Sequence, residues 1–324
     1  MNLRRKIVVA LGAGPFAPIA SFAQQPPKIW RVGVLGVADA AGYAAHIEAL
    51  RTGLRKLGYV DGQNLSLEFR WAAGNFKVLP DLVAQLVRLN VDVIVTHGPG
   101  TAAAKGGTTS IPIVAYAGDL VALGLVASLA RPGGNITGVS FFGPELSVKR
   151  LELLHEAVPR IRQIAALYNP NSVSYRANYL AMQKVAELKK LTLRAYEIRT
   201  PDELEGVFAA MAKNKTGAVV VFDDPVLIAS QKTVAELANQ RRFPAAGNFG
   251  FADNGGLMTS GIDLVELWHR LAYFVDKILK GVKPASIPIE QPTKFDLVVN
   301  MKTAKALGLK IPGAILLQAT RVIE

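Results

Sequence analysis

The order of hydropathy along this chain predicts an α/β protein built from two lobes, each a doubly wound parallel sheet. From Ile29 onward, short apolar runs alternate with longer amphipathic ones, the pattern of strands joined by crossover helices. The 324 residues exceed what a single hydrophobic core ordinarily organises. The series also restarts after a glycine- and proline-containing joint near Gly138–Pro144, which predicts a hinge between two bodies.

In the first lobe the pattern predicts a strand over Arg31–Gly36 and a helix over His46–Leu57, stopped by Gly58. A strand at Leu65–Trp71, a helix at Leu79–Leu89 and a strand at Val91–Thr96 follow. A helix starts at Thr101–Lys105, and Ile113–Tyr116 is a buried strand. Leu125–Arg131 fits the end of an amphipathic helix, because Pro132 cannot continue one and Gly133-Gly134-Asn135 supply a tight exit into the strand at Ile136–Val139.

The second lobe is predicted to carry helices at Val148–Val158, Tyr175–Lys190, Glu203–Lys213 and Val226–Asn239. Its strands fall at Gln163–Tyr168, Thr192–Glu197, Ala218–Phe222 and Pro244–Gly247. Leu264–Leu279 is a long helix closed by Lys280-Gly281, and Phe295–Asn300 is a strand followed by the helix Lys302–Leu307.

The first residues form an export signal: a basic Arg4-Arg5-Lys6, an apolar run over Ile7–Ala20 and a small-x-small site at Ser21-Phe22-Ala23. Residues 1–23 are expected to be removed near Ala23, placing the mature chain in the periplasm. Arg4-Arg5 leaves the twin-arginine and general routes both open. With no cysteine, an exported chain must rely on its core alone. Three positive residues of the formal +12 lie in the signal, leaving +9, and the rest are scattered along helices as at Lys184, Lys189, Lys190 and Arg194. That spread predicts a solvated basic surface rather than a nucleic-acid footprint.

Enzyme signatures are missing. Gly98–Gly106 is glycine-rich after a strand, but Lys105 is followed by Gly106, where a phosphate loop needs Ser or Thr. No dinucleotide fingerprint or nucleophile elbow is present. His46, His97, His155 and His269 are too far apart for a metal helix motif, so no metal or cofactor is expected. His46, His155 and His269 belong to helical patterns, whereas His97 follows a strand and faces either a ligand or a loop.

Ligands of open α/β sheets bind beyond the carboxyl ends of the strands. That rule selects Asp39 and Tyr43 after the first strand, and Thr96, His97, Gly98 and Thr101 at the third. Tyr116 and Asp119 mark the fourth. In the second lobe it selects Asn169, Asp223, and Asn248 with Phe249. Thr101 is expected to cap its helix and, with neighbouring N–H groups, to bind a carboxylate, or else to cap without a ligand. Asp223 or Asp119 would receive an amine across the cleft, while Asp224-Pro225 fits a helix cap. Tyr43, Tyr116 and Phe249 suit either aromatic walls or the core.

Several separated motifs carry a family resemblance: Gly58–Asn64, Arg131–Asn135, Gly255–Met258, Gln291–Phe295 and Lys305–Leu309 with Ile311-Pro312. Through them the chain resembles the solute-binding proteins of ABC importers that include tryptophan and tyrosine receptors, from about Val32 to Glu324. It differs from their usual pattern at Asp119-Leu120 and Thr259-Ser260-Gly261. The resemblance implies a type I periplasmic-binding-protein fold with a three-crossover hinge, the long helix returning to lobe 1 and the final strand going to lobe 2. Lobe 1 would then be residues 28–138 plus 262–285, and lobe 2 residues 139–261 plus 286–324.

The function implied is a monomeric receptor that closes over a small organic solute, an amino acid or an aromatic or carboxylated compound, and delivers it to an inner-membrane ABC permease. A signalling receptor without transport and a two-lobed racemase or lyase are the alternatives, the latter needing an acid/base pair across the cleft. A transcriptional regulator would need a DNA-reading module before the first strand, where Gln24–Trp30 leaves no room.

Overall fold

The computed structural model describes residues 28–141, 143–172 and 175–324; the expected export signal and cleavage near Ala23 fall outside the described residues. The first sheet has the order β2-β1-β3-β4-β5, with β1 at Trp30–Gly36, β2 at Leu65–Trp71, β3 at Val93–His97, β4 at Ile113–Ala117 and β5 at Ile136–Ser140. All its pairs are parallel, as Val34 opposite Val95 and Val95 opposite Val114 show. Parallel strands buried on both faces need helices on both, and the apolar runs of β3 and β4 supply side chains to each. Helices α1 (Ala44–Lys56) and α9 (Leu264–Leu279) cover one face, around Leu50, Leu54, Trp268 and Leu271. Helices α2 (Leu79–Arg88) and α3 (Pro99–Gly107) cover the other, around Val83, Leu86 and Ala104.

The second sheet runs β12-β11-β10-β9-β8-β6-β7. Strands β6 (Gln163–Tyr168), β7 (Thr192–Glu197), β8 (Ala218–Val221), β9 (Ala245–Gly247) and β10 (Met258–Gly261) are mutually parallel. Strand β11 (Asp296–Asn300) is antiparallel to β10, and β12 (Arg321–Ile323) pairs with β11. Helices α4 (Gly143–Ala157), α5 (Tyr175–Leu188), α10 (Met301–Ala306) and α11 (Gly313–Gln318) flank one face of this sheet. Helices α6 (Leu204–Lys213), α7 (Pro225–Ala229) and α8 (Gln231–Gln240) flank the other.

The chain passes between the sheets three times: from β5 to α4, from β10 to α9, and from Glu290 to β11. The first and third crossings are tied together, since Ser140 N donates to Glu290 O and Glu290 N to Gly138 O, each at 2.9 Å. Crossover segments of this kind are where a two-lobed fold can hinge. No described helix is long and apolar enough to cross a membrane.

Local expectations gave way at several places. Leu125–Arg131 forms turns instead of a helix: Lys105 Nζ captures the carbonyls of Gly124 and Leu125 at 2.8 Å, and Ala127 N bonds Pro132 O. Carbonyls taken by a side chain are lost to an i to i+4 ladder. Val226–Asn239 is two helices, because the chain turns at Ser230 so that α7 meets the first lobe while α8 packs on its own sheet. Helix α3 begins at Pro99, which suits a first helical position, so Gly98 at φ 50° is the N-cap and Thr101 lies inside the first turn. Strand β10 was legible only as a motif, and α11 and β12 had no separate prediction.

Candidate functional site

Each sheet has a switch point, where successive crossovers diverge to opposite sides: between β1 and β3 in the first, and between β6 and β8 in the second. Each is bridged by a buried side chain. His97, the last residue of β3, accepts from Val37 N at 3.5 Å, and Asn169 after β6 donates to Asp224 Oδ1 at 3.5 Å. The two switch points face one another across a cavity that is partly open to solvent.

From the first lobe, His97, Gly98 and Tyr116 reach this cavity, and from the second Asp223 and Asn248 do. The remaining predicted site residues sit elsewhere. Asp39 Oδ1 accepts from Gly42 N at 2.8 Å, and Asp119 Oδ1 from Val121 N and Ala122 N at 3.0 Å, so both organise turns. Thr96 is buried with its hydroxyl on Leu35 O at 3.0 Å. Asn169 is buried beside Asp224, and Phe249 contributes its main-chain carbonyl to Gln231. Thr101 is fully buried, its hydroxyl makes no capping bond, and it is not on the cavity wall. The expected Thr101 cap is therefore corrected: its residue number places it one turn too deep, and Gly98 holds the capping position.

Tyr43, His97 and Tyr116 form a three-ring stack, with centroids 4.7 and 5.3 Å apart, behind the lobe 1 wall. Trp268 of α9 stands edge-on to all three at 5.6–6.1 Å. The hydroxyls of Tyr43 and Tyr116 lie near each other, and that of Tyr116 lies near the indole N–H of Trp268, yet none of the three is at hydrogen-bonding geometry. Burial raises Tyr43 well above the usual phenol value and Tyr116 to about 12, so both stay protonated donors.

Burial lowers His97 to about 3, with nearby His46 adding to the effect, and lowers His46 to about 4. The unfolded chain therefore binds more protons at these residues between their folded values and 6.5, and acidification through that window weakens the fold. Asp224 acts in the opposite sense, because burial raises it from 3.8 to about 6 and the folded form takes up the proton first. The two histidines outweigh it. Thermal stability is expected to fall from pH 6.5 to 4, and His97→Gln to flatten the slope by about one proton, roughly 1.4 kcal/mol per pH unit. An unchanged slope for His97→Gln, followed by calorimetry, would contradict a neutral buried imidazole.

The lobe 2 wall is organised by a residue the sequence reading missed. Arg150 of α4 has no exposed side-chain surface. Its Nε and Nη2 donate to Ser260 O at 3.1 and 2.7 Å, Nη1 to Val221 O at 2.7 Å, and Nη2 to the Asp223 carboxylate at 3.0 and 3.2 Å. Asp223, 13% exposed, keeps lone pairs toward the cavity while its charge is balanced from behind. The clue in the sequence was a charge at helical spacing among Leu151, Leu154 and Ala157, the buried apolar stripe of α4. Asp224 is the N-cap of α7, accepting from Val226 N at 2.9 Å. Among the described residues no group of histidine and acidic side chains converges as a metal site.

Most of the rest of the wall is apolar, including Leu123, Phe141, Leu146, Ile228, Ile262 and Leu264. The lobes also touch directly. Ala229 of α7 lies so near Gly42 that a Cβ there would come within 2.5 Å of the alanine Cβ, and Val226 and Pro225 approach Gly74 and Gly98.

Comparison with known proteins agrees with this geometry. The chain is 28% identical over 261 residues to the tyrosine-binding protein of Clostridioides difficile, covering 79% of this chain and 74% of the relative. It superposes with a TM-score of 0.80 on an ABC domain from Streptococcus pneumoniae in complex with L-Trp, at 26% identity over 90% of this chain and 100% of the other. With a ligand-free, open substrate-binding protein of Clostridium difficile the TM-score is 0.62, at 25% identity over 91% and 99%. Residues 31–323 match the model of the ABC transporter substrate binding protein family, and the chain belongs to that family.

Proposed function

We propose that this protein is a periplasmic receptor that closes its two lobes over an amino acid with an apolar or aromatic side chain and hands it to an ABC permease. The observation that carries the reading is the cavity itself: one carboxylate, Asp223, fixed by buried Arg150 on an otherwise largely apolar wall between the lobes. An ammonium group suits Asp223, and an aromatic body suits the Phe141, Leu146 and Ile262 side. The names of the L-Trp and tyrosine-binding relatives point the same way. The export signal supports the location, and a monomer is sufficient because the cavity is complete within one chain.

Binding makes no covalent change. His97 is a weak base when its value falls to about 3, and Asp223 is engaged by Arg150, so the racemase or lyase alternative has no well-matched pair across the cleft. Titration calorimetry with L-tyrosine and L-tryptophan, paired with small-angle scattering, is expected to give saturable binding and a smaller radius of gyration. Absence of both, or turnover of the bound amino acid by mass spectrometry, would overturn the receptor reading.

A further inference from the structure

Lobe 2 turns an amide toward the cleft through a chain of hydrogen bonds that fixes its orientation. Asn254 Nδ2 donates to Gly250 O at 2.9 Å and to Gln231 Oε1 at 3.1 Å. Gln231 Nε2 in turn donates to Phe249 O at 2.8 Å and to Asn248 Oδ1. Main-chain carbonyls only accept, so each must face an N–H₂ group, and the polarity of all three side-chain amides follows from those two anchors. Asn248 is thereby left with its oxygen on Gln231 and its N–H₂ group turned away from it. That nitrogen is buried without a partner, and Asn248 lies on the cavity wall. A buried donor of this kind is costly until an acceptor arrives.

We propose that Asn248 is a specificity-determining donor for the α-carboxylate of the ligand, and that Gln231 is the positioning residue that keeps its N–H₂ group toward the cleft. This rests on the amino-acid reading above. Asp223 is close by: the Cβ position of Gly261 lies 3.5 Å from Asn248 Cα and 3.6 Å from Arg150 Nη2, the nitrogen that holds Asp223. An acceptor for ammonium and a donor for carboxylate therefore both line the cavity from lobe 2, near the same Gly261. The ligand head group belongs to lobe 2, its side chain to the apolar wall, and the Thr101 turn is not needed for the carboxylate.

The test is calorimetric titration of the wild type, Asn248→Asp and Gln231→Glu with L-tyrosine and with L-tyrosinamide, which lacks the carboxylate charge. The wild type is expected to prefer the acid about tenfold or more. Asn248→Asp sets a carboxylate against the ligand carboxylate, so affinity for tyrosine is expected to fall at least about a hundredfold and the acid-over-amide preference to invert. Gln231→Glu has only oxygens to offer Asn248, which must then turn its N–H₂ inward and its oxygen to the cleft, giving the same inversion without touching the ligand. If Gln231→Glu does not fold by circular dichroism, Asn248→Asp decides alone. Tyrosine binding by the wild type with the acid preference intact in Asn248→Asp would overturn this proposal only. A wild type that binds neither tyrosine nor tryptophan would remove the amino-acid reading and this proposal with it.

Discussion

Arg150→Met is expected to be the most destabilising single change in the second lobe, costing about 3–5 kcal/mol in urea unfolding, because it strips from the Asp223 carboxylate its ion-pair partner among the described residues. The guanidinium joins strands β10 and β8 through Ser260 and Val221, and it also holds the Asp223 carboxylate just beyond β8. Methionine fills similar volume, so the loss is electrostatic rather than a cavity, and the carbonyls of Ser260 and Val221 lose strong donors. Pairing it with Asp223→Asn is expected to recover a large part of the loss, since the uncompensated charge disappears as well. A loss below about 1 kcal/mol for Arg150→Met, or no coupling in the double variant, would show that the pair is not a structural support of the cleft.

Gly42→Val is expected to separate folding from closure. Gly42 lies in the turn before α1, where a Cβ would meet Ala229 Cβ at 2.5 Å and Ala229 Cα at 2.8 Å. Those atoms belong to the other lobe, so the clash exists only while α7 rests on lobe 1. Overpacking of this kind costs about 1–3 kcal/mol. All of it falls on the closed state, so affinity is expected to drop about ten- to a hundredfold at 1.4 kcal/mol per decade. The unliganded melting temperature is expected to stay within a degree or so, and scattering to show a more open average form. Tight binding retained by Gly42→Val would mean that ligand capture does not need this contact.

The alternation of strands and helices, the two-lobe plan and the placement of His97, Asp223 and Asn248 at strand ends were all legible in the sequence. These follow from hydrophobic period and turn chemistry, which act over a few residues, and from the rule that ligands meet α/β sheets at their carboxyl edge. The same local logic placed a helix at Leu125–Arg131, where Lys105 takes the carbonyls, and gave Thr101 the cap that belongs to Gly98. What lay beyond local reading is which side chains meet. Arg150 finds Ser260 across 110 residues and Asp223 across 73, while Ala229 is set against Gly42 only when the lobes come together. Neighbours in sequence fix the elements through backbone sterics and periodic burial, but the charge behind Asp223, the orientation of Asn248 and the latch at Gly42 depend on contacts between distant segments, which only the packed tertiary structure decides.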